Sequence, residues 1–108
     1  MKLRAFLPLM PVAALLLYAP PATAAPRTHV VVIDKMKFGP VPATVRPGDR
    51  ITWVNRDVFR HTATARNGSF GIDLPPKAKA TMVVRSAGSF AFFCKYHPGM
   101  TGVLKVAR

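Results

Sequence analysis

The chemistry-bearing residues of this chain gather near its end, as Cys94-x-x-His97-x-x-Met100, with His61 placed 33 residues upstream of the only cysteine. A thiolate, two imidazoles and a thioether make a mixed donor set for copper. Soft sulfur favours Cu(I), and imidazole serves both oxidation states, so such a set lets one ion pass between Cu(I) and Cu(II). Two residues between Cys94 and His97 allow a turn that aims both at one centre, and Pro98-Gly99 turns the chain again to return Met100.

Each residue alone has an ordinary reading. A lone cysteine is often a buried, inert small hydrophobe, and a lone methionine fills core. Cys94 with His97 could be half of a zinc site, but zinc is held by Cys, His or carboxylate. The loop has no second cysteine and no acidic residue. The four together point to copper. Oxidase or reductase chemistry on the same chain would call for a second, histidine-rich copper centre. Only His29 remains beside His61 and His97. As the fifth residue of the expected mature chain, it lies too far along for an amino-terminal copper motif, and a structural or solvent-exposed role is expected.

The chain opens with Lys2 and Arg4, a mostly apolar run from Ala5 to Ala19, and the small-x-small pattern Ala22-Thr23-Ala24. That order is the pattern of a secretory signal. A spanning helix needs about 20 apolar residues, whereas this run is shorter and broken by Pro8 and Pro11. Residues 1–24 are therefore expected to be a cleaved signal peptide, 25–108 a single small domain in the periplasm, and the mature protein not membrane-spanning. One cysteine allows no internal disulfide, and an odd thiol in an exported protein calls for a purpose. The mature region carries 14 basic residues against four Asp and no Glu, a net charge of +10. Such a surface attracts acidic proteins, anionic membranes or nucleic acid. No nucleic-acid-reading motif accompanies it, so nucleic acid is not expected, and solubility alone would also account for the charge.

The elements that must hold the donors read as short strands between turns. Thr28 to Ile33 is β-branched and valine-rich, which suits a strand. Ala43 to Arg46 reads as short and extended, followed by the turn Pro47-Gly48-Asp49. In Arg50 to Asn55, Ile51, Trp53 and Asn55 alternate with Arg50, Thr52 and Val54. His61–Ala65, Lys79–Arg85, Ser89–Cys94 and Gly102–Ala107 complete the set. No apolar period of 3.6 residues demands a helix. Seven to eight strands in 84 residues predict an all-β fold, a two-sheet β-sandwich with Trp53, Phe38, Phe90 and Phe92 in its core. Phe90, Phe92 and Cys94 share one strand face, so Cys94 is expected at the core side of the strand's end.

The chain resembles the small type 1 copper proteins of the cupredoxin family, of the amicyanin and plastocyanin-like group, from about Val30 to Val106. Phe38-Gly39-Pro40, Val45-Arg46-Pro47-Gly48-Asp49 and Ile51-Thr52-Trp53-Val54-Asn55-Arg56-Asp57 follow the family's early strands. His61-Thr62 and Ser69-Phe70 follow its middle, and Gly88 to Cys94, His97-Pro98, Met100 and Gly102 its closing hairpin. The resemblance implies a Greek-key sandwich with Cys94, His61 and His97 as strong equatorial ligands of one copper ion and Met100 as the long axial one. It implies a blue-copper electron carrier, not an enzyme, monomeric and serving redox partners such as a cytochrome c or an oxidoreductase, with electrons leaving through His97. The alternative is a carrier that delivers copper to an enzyme or an efflux system. The basic charge adds an acidic docking face on the partner, with Arg56, Arg60, Lys95 and Tyr96 as candidates for the rim it meets. Thr62 departs from the family, where many relatives carry an Asn that ties the two ligand loops together. A Thr hydroxyl can do part of this, with a looser connection expected here.

Overall fold

The computed structural model describes residues 25–108, so the expected signal segment lies outside the described residues. Among the described residues, eight strands form two four-stranded sheets packed as a Greek-key sandwich: β1 (Thr28–Asp34), β2 (Lys37–Phe38), β3 (Arg50–Asn55), β4 (His61–Ala65), β5 (Gly71–Leu74), β6 (Lys79–Val83), β7 (Gly88–Phe93) and β8 (Thr101–Val106). The first sheet runs β2-β1-β3-β6 and the second β5-β4-β7-β8. Among these eight strands β1 and β3 form the one parallel pair, with Val31 beside Trp53 and Ile33 beside Asn55. No helix among the described residues is long and apolar enough to cross a membrane.

Alternation in the sequence becomes alternation in burial. Ile51, Trp53 and Asn55 of β3 are buried, while Arg50, Thr52 and Val54 turn outward. Phe92 stands at the centre of the core. Its ring meets Phe38 edge-on at 4.8 Å and Trp53 at 5.2 Å, with Phe70 at 6.3 Å. Edge-to-face aromatic pairs add about 0.5–1.5 kcal/mol each beyond the area they bury. The cluster draws on both sheets and fixes the end of β7, from which Cys94 emerges.

Two expectations are corrected. Ala43–Arg46 is not a strand; only Val45 bridges, in parallel to Val106 of the second sheet. Conversely, Gly71–Leu74 is a full strand pairing with β4 from His61↔Leu74 to Thr64↔Gly71. Its Gly and Asp are poor strand formers, and the ladder to β4 overrides them. His29 is structural: its Nε2 lies 2.9 Å from Asp49 Oδ2. The backbone N–H of Arg27, the His29 ring and the N–H of Arg46 together hold the Asp49 carboxyl down at about 2. The acidic residue of a sequence turn is thus a buried acceptor that ties the start of β1 to the entrance of β3.

The β1–β2 hairpin turns through Lys35 and Met36, whose φ angles of 50° and 61° are both left-handed. For side-chain-bearing residues this costs about 1–2 kcal/mol each, so something must hold the turn. The holder is Asp57, whose carboxylate accepts the N–H of Lys35 at 2.8 Å and of Met36 at 3.0 Å.

Gly102 lies directly across the ladder from Phe92, and a Cβ there would overlap the Phe92 ring. Since that ring is locked by its aromatic neighbours, Gly102→Ala should lower the stability of the metal-free protein by about 1–3 kcal/mol. Urea unfolding reads this, with the exposed neighbour substitution Val103→Ala as a near-neutral control.

Candidate metal centre

Where β4 meets β7 the ladder is short. Only Thr64↔Phe93 and Ala65↔Phe92 pair, and beyond them the strands part. Into that gap project His61 from the start of β4 and Cys94 from just past the end of β7. The loop after Cys94 is closed on itself, with the N–H of Cys94 donating to the Met100 carbonyl at 3.1 Å and the N–H of Met100 donating to that of His97 at 2.8 Å. These two bonds make Cys94 to Met100 a compact turn, not a free loop, and they keep His97 facing the thiol.

The resulting geometry is a triangle of donors. Cys94 Sγ stands 3.7 Å from His61 Nδ1 and 3.9 Å from His97 Nδ1, and the three atoms lie within 4.8 Å of one another. Bonds of about 2.0–2.1 Å to imidazole nitrogen and 2.3 Å to sulfur around one ion place N and S about 3.5–3.8 Å apart. The observed 3.7 Å falls in that range and 3.9 Å just beyond it, so the three donors are close enough to converge on one small metal ion. Thiolate and imidazole without carboxylate among the donors fit copper. His61 and Cys94 are wholly buried, Met100 nearly so, and His97 is half-buried. The structure thus brings together His61, Cys94 and His97 of the four residues singled out in the sequence, while Met100 is buried and closes the loop through its backbone bonds to Cys94 and His97.

Thr62 bridges the two ligand segments. Its N–H points to Cys94 Sγ at 3.4 Å, and its Oγ1 accepts the N–H of Lys95 at 2.9 Å. One buried residue therefore touches the thiol and ties the two ligand segments together where the β-ladder has stopped. The hydroxyl of Thr62 thus supplies part of the tie expected of the missing Asn.

Two residues were missed. Asn55, fully buried, donates from Nδ2 to the carbonyls of Phe59 (2.8 Å), Leu74 (3.0 Å) and Pro75 (3.2 Å), and accepts the N–H of Asp57 at Oδ1. It shapes the 56–60 loop that delivers His61. Asp57 Oδ2 lies 2.8 Å from His61 Nε2. Burial alone would raise the Asp57 pKa, but the N–H of Met36, the His61 ring and the N–H of Lys35 outweigh it and hold the carboxyl below its usual value. The four-residue spacing from Asp57 to His61 was visible, but in a loop it carries no periodicity that would mark a contact.

The rim of the site mixes apolar and basic groups. Val58, Phe59 and Tyr96 are more than half exposed, and the Phe59 ring meets His97 at 6.3 Å. Arg56, Arg60 and Lys95 are exposed nearby in sequence; Arg60 pairs with Asp73 at 3.5 Å in the open.

Comparison with known proteins agrees with this centre. A family model described as a cupredoxin-like domain matches residues 8–106. The chain belongs to the cupredoxin-like family. It is 35% identical over 79 residues to an amicyanin from Paracoccus versutus, a match covering 68% of this chain and 60% of that protein. It is 29% identical to a plastocyanin from Nostoc punctiforme, covering 91% and 86%. The chain spans less than two thirds of the length of the two amicyanins it matches, 60% and 63%. Among solved structures, the P. versutus amicyanin superposes with a TM-score of 0.63 at 29% identity, over 74% of this chain and 81% of that one. A Cu(I) form of an amicyanin variant gives the same score at 26% identity, over 74% and 82%.

Thr62→Val would strand the N–H of Lys95 without its acceptor, while Thr62→Ser keeps one. An unsatisfied donor of this kind costs about 1–3 kcal/mol. The Val variant should lose that much stability and show faster amide exchange at Lys95, and the Ser variant should retain most of both.

Proposed function

We propose that this protein is a one-electron carrier whose centre is a single type 1 copper ion held by His61, Cys94 and His97, with Met100 as the weaker fourth donor. The observation that carries this reading is the triangle of one thiol and two Nδ1 atoms at the end of a packed sandwich, three of the four donors buried and one half-exposed. Copper, when bound, supplies the Cu(II)/Cu(I) couple. The chain supplies a cage built from two packed sheets and a self-bonded turn, which resists rearrangement when the ion's charge changes. Four protein donors leave no position for a substrate, which supports a carrier and not an enzyme. His97 is the donor that reaches the surface, so its ring edge is the exit for the electron.

The same reading places the protein in the periplasm, supported by the signal pattern ending at Ala22-Thr23-Ala24. The redox partner is a protein with an acidic face. Val58, Phe59 and Tyr96 offer an apolar contact around His97, and Arg56 and Lys95 give it a basic border, Arg60 being partly neutralised by Asp73.

The copper-loaded protein should be intensely blue through thiolate-to-Cu(II) charge transfer and should bleach reversibly on reduction. Cys94→Ser should keep the fold and lose the colour, since the chain has no other thiol. Visible absorption and electron spin resonance decide this. A colourless protein that yields Cu(I) to a weak chelator would favour copper delivery instead.

Electron exchange with an acidic partner should slow as salt rises, because the Debye length falls from about 10 Å at 0.1 M to about 3 Å at 1 M. Charge reversal at Arg56 and Lys95 should flatten the dependence. A native salt profile that is already flat would leave the charge to solubility.

A further inference from the structure

The donor triangle uses Nδ1 of His61 and leaves Nε2 on the protein side. That nitrogen is neither solvent-exposed nor bonded to a backbone carbonyl. It faces a carboxylate whose side chain is only 10% exposed. We propose that Asp57 is a positioning residue of the metal centre: it fixes the tautomer and orientation of His61 and, by its negative charge, biases the centre toward the more positive oxidation state. This inference rests on the copper reading of the site.

The argument begins at the strained turn. The N–H groups of Lys35 and Met36 cannot be anything but donors, and both converge on the Asp57 carboxylate. Its oxygens are therefore held as acceptors, and His61 Nε2, 2.8 Å from one of them, must present its hydrogen. A neutral imidazole has one N–H and one lone pair. With the hydrogen on Nε2, the lone pair is on Nδ1, the atom 3.7 Å from Cys94 Sγ. The tautomer that a metal requires is thus set by the fold before any ion arrives. A carboxylate behind a ligating histidine also makes the ring a stronger donor and holds it in plane.

The carboxylate is anchored as firmly as the ligand. Besides the two turn N–H groups, its own N–H donates to Asn55 Oδ1 at 2.9 Å, and its carbonyl accepts the N–H of Lys77 at 3.3 Å. Asp57 joins the β1–β2 turn of the first sheet to the first residue of β4 in the second. The left-handed backbone at Lys35 and Met36 is then part of the metal centre's support, two bonds removed from the donor. His97 differs: among the described residues no hydrogen bond braces its ring from behind. The two imidazoles are thus unequal, one clamped and buried, one open to the surface.

A purely structural Asp57, serving only to hold the turn, would leave the His61 tautomer and the metal's redox preference to other groups. The two roles separate in experiment. In the metal-free wild-type protein, ring nitrogen-15 NMR should show His61 as the Nε2–H tautomer, with that proton protected from solvent. Asp57→Ala should let the ring populate both tautomers. Asp57→Asn keeps an acceptor oxygen for Nε2–H but removes the charge. It should keep the tautomer and raise the preference for Cu(I) over Cu(II) by roughly tenfold, read by voltammetry as a rise of about 59 mV for one electron. An Nδ1–H tautomer in the metal-free wild type, or an unchanged midpoint in a folded, blue Asn variant, would overturn the proposal. Failure of the copper reading shows separately, as a wild-type protein that stays colourless with Cu(II).

Discussion

The centre depends on a place where a β-ladder stops. β4 and β7 share two residue pairs and then part, and the opening so made is where His61 and Cys94 come face to face. Left alone, parted strands would expose backbone donors and let the two ligand segments drift. Thr62 prevents both, with its N–H at the sulfur and its hydroxyl on the N–H of Lys95. The site is a controlled interruption of a sheet, held by side-chain bonds in place of ladder bonds.

Around that interruption the supports are arranged by rigidity. Phe92 and its aromatic neighbours fix the end of β7, and Gly102 gives the Phe92 ring room across the ladder. Asn55 shapes the loop before β4, and Asp57 carries a bond from a strained hairpin turn to the His61 ring. Asn55, Asp57 and Thr62 each place hydrogen bonds on a segment that delivers a donor. Only the His97 side is lightly braced, and it is also the side that meets solvent.

Much of this was legible in the sequence, for physical reasons. The donors declared themselves by type, because a lone thiol three residues from an imidazole and six from a thioether has few other uses. β3 was legible because burial on one face imposes period two on Ile51, Trp53 and Asn55. β5 was not, because Gly71 and Asp73 carry no strand preference and the segment is a strand only through its pairing with β4. The extended look of Ala43–Arg46 misled for the opposite reason: its residues favour extended backbone, but only Val45 finds a partner. Asp57 and Asp49 read as loop and turn acids, since nothing local shows that a carboxylate will collect backbone N–H groups from segments about 20 residues away. That the Thr62 hydroxyl bonds Lys95 was not legible in detail, because its reach depends on how two strands diverge.

The complete burial of Cys94 has a meaning for the protein before it holds any metal. A thiol reacts with oxidants, or with another thiol, only if the attacking atom can reach it as thiolate. Here the sulfur lies beneath His61, Thr62 and the turn that ends at Met100, so a second chain cannot approach it without local unfolding. Newly folded protein can therefore wait in an oxidising medium with its sulfur intact, and the fold acts as a preservative for the ligand until the ion comes.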